Sequence, residues 1–184
     1  MWISFFPNSI NLKFQAIEFR VRYEFIATWT IFGGFLLFFT VFLGSQSVLS
    51  GFIESFTLCF TAISSLFIHE MGHALVMVIK KEKCVVAFKW NGAECRYISP
   101  PLNLQINDIV FIALGGPLFN LILFSLSLAL GSYFKLFPNP TAHRVWLCFT
   151  AFNLLFGLTS LIPWKNSDGM KLLTWTKFKI KENQ

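Results

Sequence analysis

Ser65–Lys80 reads SLFIHEMGHALVMVIK, an apolar run that carries His69, Glu70 and His73 in its middle. In a helix, residues four apart share a face, so both imidazoles can reach one ion. Glu70, one position on, sits at the edge of that face. Two histidines and a carboxylate in the HExxH spacing form a pattern with a mechanism, an ion held by the imidazoles and a base placed to take a proton from a water there. A pair of histidines satisfied within a core is the structural alternative. An imidazole pair plus a carboxylate at membrane depth is costly to keep, which favours a functional role.

The rest of the composition sets the surroundings of that motif. The chain has 184 residues, 55% of them hydrophobic and only 13% charged, with 24 Phe and a mean hydropathy of +0.62. Those values describe an integral membrane protein of one domain, residues 1–184, with no separate soluble module. The net charge of +6 could point to nucleic acid, but the Lys and Arg fall at the ends of apolar segments, so no nucleic-acid partner is expected. Cys59, Cys84, Cys95 and Cys148 form no CxxC and read as small reduced thiols. No signal peptide, internal repeat or low-complexity linker is visible.

Outward from the motif, four apolar segments at 25–43, 55–79, 106–134 and 145–162 are near or above the roughly 20 residues a helix needs to cross a bilayer. Gly33-Gly34 in the first is either a close helix contact or simply tolerated, and Asn107 is a candidate N-cap for the third. The N-terminal region, 1–24, contains Ile17–Phe25, IEFRVRYEF, which alternates strictly and reads as a half-buried strand or an interfacial helix. A shorter strand at Leu12–Gln15 precedes it. The mainly α fold therefore carries a small sheet, the N-terminal strand plus a hairpin at 83–99. In that hairpin an Asn91-Gly92 turn pairs Trp90 with Ala93, Phe88 with Cys95, Val86 with Tyr97 and Lys89 with Glu94. Cys84 then faces Ser99, which argues against a Cys84–Cys95 disulfide, and Pro100-Pro101 ends the second strand.

Charge sets the orientation. Thirteen of the fifteen basic residues lie in the leader, in the connection after the second segment, or in the tail 168–184 and the residues just before it. The positive-inside rule makes that side cytoplasmic, with both termini inside in a multi-pass cell-membrane protein. His69 lies about 16 Å along the helix from Lys80, so the motif sits in the cytoplasmic half.

A catalytic zinc site needs a third protein ligand beside an open position. His143 belongs to the opposite side. Asp168, in Asn166-Ser167-Asp168-Gly169, returns to the correct side and is the one acidic residue between Asp108 and Glu182. An Asp-Gly turn capping a short helix, Met170–Phe178, is the alternative reading.

On these residues the chain resembles the site-2 protease family of intramembrane zinc metalloproteases, the peptidase M50-like enzymes. His69-Glu70-Met71-Gly72-His73 matches the family's first motif. Gly115-Gly116-Pro117-Leu118-Phe119-Asn120 resembles its GGPxxN, and Leu161-Ile162-Pro163 followed by Asp168-Gly169 resembles its NLxPxxxLDG. The resemblance spans about Leu12–Leu173. It implies one Zn²⁺ per chain held by His69, His73 and Asp168, with Glu70 as the catalytic base of an endopeptidase. The substrate would be a transmembrane or short membrane-associated peptide. Ser160 stands where the family has an Asn proposed to contact substrate or oxyanion, so Asn153 and Asn120 join Ser160 as candidates for that role. Ser167, Asn166 and Met170 also depart from the motif. The alternative implied by those departures is an inactive relative with a binding, immunity or chaperone role. A transporter with intramembrane histidines is weaker, since no repeat is visible.

Overall fold

The computed structural model describes residues 2–6, 8–43, 47–99, 105–134 and 140–182. Five helices and one five-stranded sheet make up this part of the chain. Helix α1 (Tyr23–Phe38) runs on into a π turn at Phe39–Leu43; α2 covers Val48–Ile79, α3 Ile106–Phe134, α4 Pro140–Thr159 and α5 Asp168–Glu182. Among the described residues, three segments, Tyr23–Phe42, Val48–Ile79 and Asn107–Gly131, are long and apolar enough to cross a membrane. Large apolar side chains such as Ile31, Phe35, Phe56 and Ile122 stand on their outer faces, as lipid-facing positions do.

Small residues let α2, α3 and α4 approach closely. A methyl group at Gly115 would meet the Gly72 carbonyl oxygen at 2.6 Å, and one at Gly157 would meet Leu121 Cγ at 2.8 Å and the Pro117 carbonyl at 3.3 Å. Such close backbone approach is how helices associate where apolar burial gives little drive. Gly33 has only ordinary contact with Cys59 Sγ, at 3.5 Å, and Gly34 has open space, so neither makes a tight crossing.

The strands are β1 (Trp2–Phe6), β2 (Ser9–Phe14), β3 (Ile17–Arg22), β4 (Cys84–Lys89) and β5 (Gly92–Tyr97), in spatial order β1-β2-β3-β4-β5. All pairs are antiparallel except β3 with β4. The apolar face of β4, Cys84, Val86 and Phe88, lies buried with Phe25, Ala74 and Met77. Each such Val or Phe side chain removed from water contributes about 1.5–3 kcal/mol. This packing seats the sheet against the C-terminal half of α2, beside the HExxH turns.

Several local expectations need correction. The alternation at Ile17–Phe25 ends as a strand at Arg22, and Tyr23–Phe25 already belong to α1. The shorter strand is β2, Ser9–Phe14; Gln15, at φ 50°, is in the turn. The hairpin register is displaced by two residues: Lys89 faces Gly92, Phe88 faces Ala93, Val86 faces Cys95 and Cys84 faces Tyr97. An Asn-Gly turn of the expected kind needs positive φ at both residues, whereas only Gly92 has it, at 135°. Lys89 and Glu94 still form an ion pair, now diagonally, and Arg96 joins it at 2.7 Å. All four cysteines are free thiols. Asn107 lies within α3, and it is Asp108 Oδ2 that accepts from the Gln105 N–H, at 3.1 Å. Helix α4 begins at Pro140 and stops at Thr159, and α5 is longer than expected, starting at Asp168. The Pro100-Pro101 stop lies outside the described residues.

A candidate metal centre at the HExxH turn

His69 and His73 occupy successive turns of α2, and Asp168 opens α5. Their ligand atoms converge: His69 Nε2 to Asp168 Oδ2 is 3.0 Å, His73 Nε2 to the same oxygen 3.2 Å, and the two Nε2 atoms are 3.2 Å apart. All three side chains are buried. Four-coordinate zinc with bonds near 2.0–2.1 Å sets its ligand atoms about 3.3 Å apart, so this triangle is the size such an ion requires.

The helix α3 shapes the rear of the site. His73 Nδ1 lies 2.6 Å from the Ile112 carbonyl and 3.2 Å from the Gly116 N, contacts that hold the ring with Nε2 facing His69 and Asp168. Gly116 lies against the Nε2 edges of both rings. A methyl group there would collide with His73 Nε2 and sit 2.7 Å from His69 Nε2, so glycine is what lets the imidazoles converge. His69 Nδ1 and Glu70 Oε2 are buried without a partner. The donor set, the triangle's size and the glycine cradle together fit a divalent metal.

Local geometry also explains why Asp168 is where it is. Asn166 takes a left-handed conformation, φ 69°, which a proline could not adopt. Ser167 Oγ accepts from the Met170 N–H at 3.0 Å and so caps α5. Gly169 donates its N–H to the Ser160 carbonyl at 2.9 Å and packs onto the Leu161 and Ile162 backbone with no space for a side chain. The first turn of α5 thus lies against the end of α4, aiming the carboxylate at the histidines. Burial pushes the Asp168 carboxyl up. Hydrogen bonds from His69 and His73, with Lys171 nearby, outweigh burial and hold it well below the usual carboxylate range.

A cavity of about 620 Å³ opens in front of the triangle. Its walls include Trp29 and Phe32 of α1, the Trp90–Cys95 portion of the hairpin, Ser160 and Lys171; His69, Glu70, His73 and Asp168 line it too. Of the residues considered for substrate contact, only Ser160 lines this cavity. Asn120 and Asn153 are fully buried deeper in the bundle. Asn120 Nδ2 donates to the Ser65 carbonyl and Asn153 Oδ1, both at 3.2 Å, and Asn153 Nδ2 donates to Ser65 Oγ at 3.1 Å. They tie α2, α3 and α4 together one turn before His69. His143 is exposed beside Trp146, away from this group.

Two contributors had not been singled out from sequence. Lys171 Nζ donates to Asp168 Oδ1 at 2.8 Å, a pairing whose signal is the i, i+3 spacing on a helix. The Ile112 carbonyl is a backbone group and leaves no signature in sequence.

No protein-family model and no curated protein matches the chain. Among solved structures it is similar to the site-2 protease from Methanocaldococcus jannaschii, with a TM-score of 0.63 and 21% sequence identity, over 90% of this chain and 69% of that one. The protein therefore has a site-2 protease-like fold, and with its three apolar helices it is a membrane protein.

Proposed function

We propose that this protein is a zinc-dependent intramembrane endopeptidase that hydrolyses a peptide bond of a membrane-embedded or membrane-associated peptide. The observation that carries this reading is the convergence of His69, His73 and Asp168 beside Glu70 on the wall of one cavity. His69, His73 and Asp168 would hold the ion. When bound, it supplies a Lewis acid that polarises the scissile carbonyl and makes a water acidic enough to attack. Glu70, whose Oε2 has no partner of its own, takes the proton of that water and delivers it to the leaving amine. Ser160 is proposed as a substrate contact.

Topology supports the same reading. Helix α4 packs against α2 and α3 and returns the chain to His69, so we assign it as a fourth crossing. The distribution of basic residues supports cytoplasmic termini and a metal site in the cytoplasmic half of the membrane.

A helical substrate must be extended before its backbone can be cut. Strand β5 is at the sheet edge. The Ile98 N–H donates to the Lys83 carbonyl at 3.0 Å, and this register turns the backbone groups of Ala93, Cys95 and Tyr97 outward. An extended peptide added there would run along the cavity.

The test uses purified protein in liposomes with single-span peptides whose apolar segment is broken by Gly or Pro. The parent should cleave them, and Glu70→Gln should retain one zinc and cleave none. Equal cleavage by Glu70→Gln would refute the mechanism.

A further inference from the structure

The two oxygens of Asp168 have different partners. Oδ2 faces both imidazole Nε2 atoms, at 3.0 and 3.2 Å, while Oδ1 accepts from Lys171 Nζ at 2.8 Å. Asp168 and Lys171 are the first and fourth residues of α5, so one helical turn fixes the pairing. The Asp168 side chain is 7% exposed and that of Lys171 is 52% exposed, so the lysine reaches from the cavity wall to an oxygen that water barely touches.

We propose that Lys171 is a positioning residue that restricts Asp168 to one oxygen at the metal. The inference rests on the zinc reading above. A carboxylate whose second oxygen is free can swing to bind an ion through both, and the second oxygen then fills the position that a catalytic site keeps open. A charge-assisted hydrogen bond to Oδ1 opposes that swing and orients the ligand from outside, as partners of metal ligands commonly do. Lys171 thereby keeps the position beside Glu70 available to water. An ordinary half-exposed ion pair at a helix start would have no effect on coordination.

The experiment replaces zinc by Co²⁺ in the purified full-length protein, since cobalt's visible absorbance falls as its coordination number rises above four. Parent, Lys171→Met, Lys171→Gln, Lys171→Arg and Asp168→Ala are compared, with imidazole titrated in as a neutral probe of the open position. Lys171→Met and Lys171→Gln should lose visible intensity and bind imidazole on the order of 10-fold more weakly. Lys171→Arg, which keeps a cation, should restore the parent's spectrum. If cobalt binding depends on Asp168 but the Met and Gln variants give the parent's spectrum and imidazole affinity, the positioning role is wrong. If Asp168→Ala binds cobalt as the parent does, the metal reading itself fails, and this inference with it.

Discussion

Gly72 and Gly115 meet backbone to backbone where α2 crosses α3, and a methyl group on either would run into the other's carbonyl. This contact brings α3 close enough for the Ile112 carbonyl to hold His73 and for Gly116 to sit against the Nε2 edges of both imidazoles. The glycine inside HEMGH is thus a packing requirement of the candidate metal site.

Gly72→Ala should therefore act on both packing and metal binding. Overpacking of this kind costs about 1–3 kcal/mol. Thermal unfolding in detergent should show the loss, and metal analysis should show reduced zinc, because α3 must move away from His73. Unchanged stability and zinc content would mean that the crossing is looser than described.

Asn153→Ala removes the link between α4 and Ser65 and takes one hydrogen bond from Asn120. Interhelical hydrogen bonds within membranes contribute about 0.6 kcal/mol on average and up to about 1.7. The variant should unfold more readily by about 1 kcal/mol, and its KM for a peptide should stay that of the parent. A raised KM with unchanged stability would instead place Asn153 among the substrate contacts.

At Ala93 the backbone N–H points to the open edge of β5, whereas at Arg96 it belongs to the ladder with β4. Proline is tolerated only where no ladder bond is needed. Ala93→Pro should keep the fold and lose peptide cleavage, and Arg96→Pro should disrupt the hairpin itself. Circular dichroism and a cleavage assay on both separate the two outcomes. Full activity in Ala93→Pro would argue against strand addition.

Asp168 also sets a pH dependence in the metal-free protein. Its folded carboxyl is held below the unfolded value of about 3.9, so its stabilisation is complete above that value and is lost as pH falls toward the folded one. The Tm difference between parent and Asp168→Asn should be constant from about pH 6 to pH 5 and narrow below about pH 4. A gap that widened on acidification would reverse the assigned direction.

How much of this was legible in the sequence depends on what each pattern can encode. Helical spacing fixed His69 and His73 on one face, and the scarcity of acids singled out Asp168. The hairpin register was not legible because a shift of two residues leaves every side chain on its own face. The alternation at Val85–Tyr97 fits both registers equally. Spacing likewise put Asn153 on the same face as Ser160, but a period gives the face and not the depth, and Asn153 lies two turns further into the bundle. Strand β1, Trp2–Phe6, has no alternation to announce it. Lys171 became visible only once α5 was seen to begin at Asp168, two residues before the helix expected from sequence.

The most direct test of the central claim is a comparison, by mass spectrometry, of membrane-derived peptides from cells expressing the parent or Glu70→Gln at equal levels. Fragments with new termini within or next to an apolar segment should be present with the parent and absent with Glu70→Gln. Identical peptide sets from the two, with zinc bound in both, would contradict it.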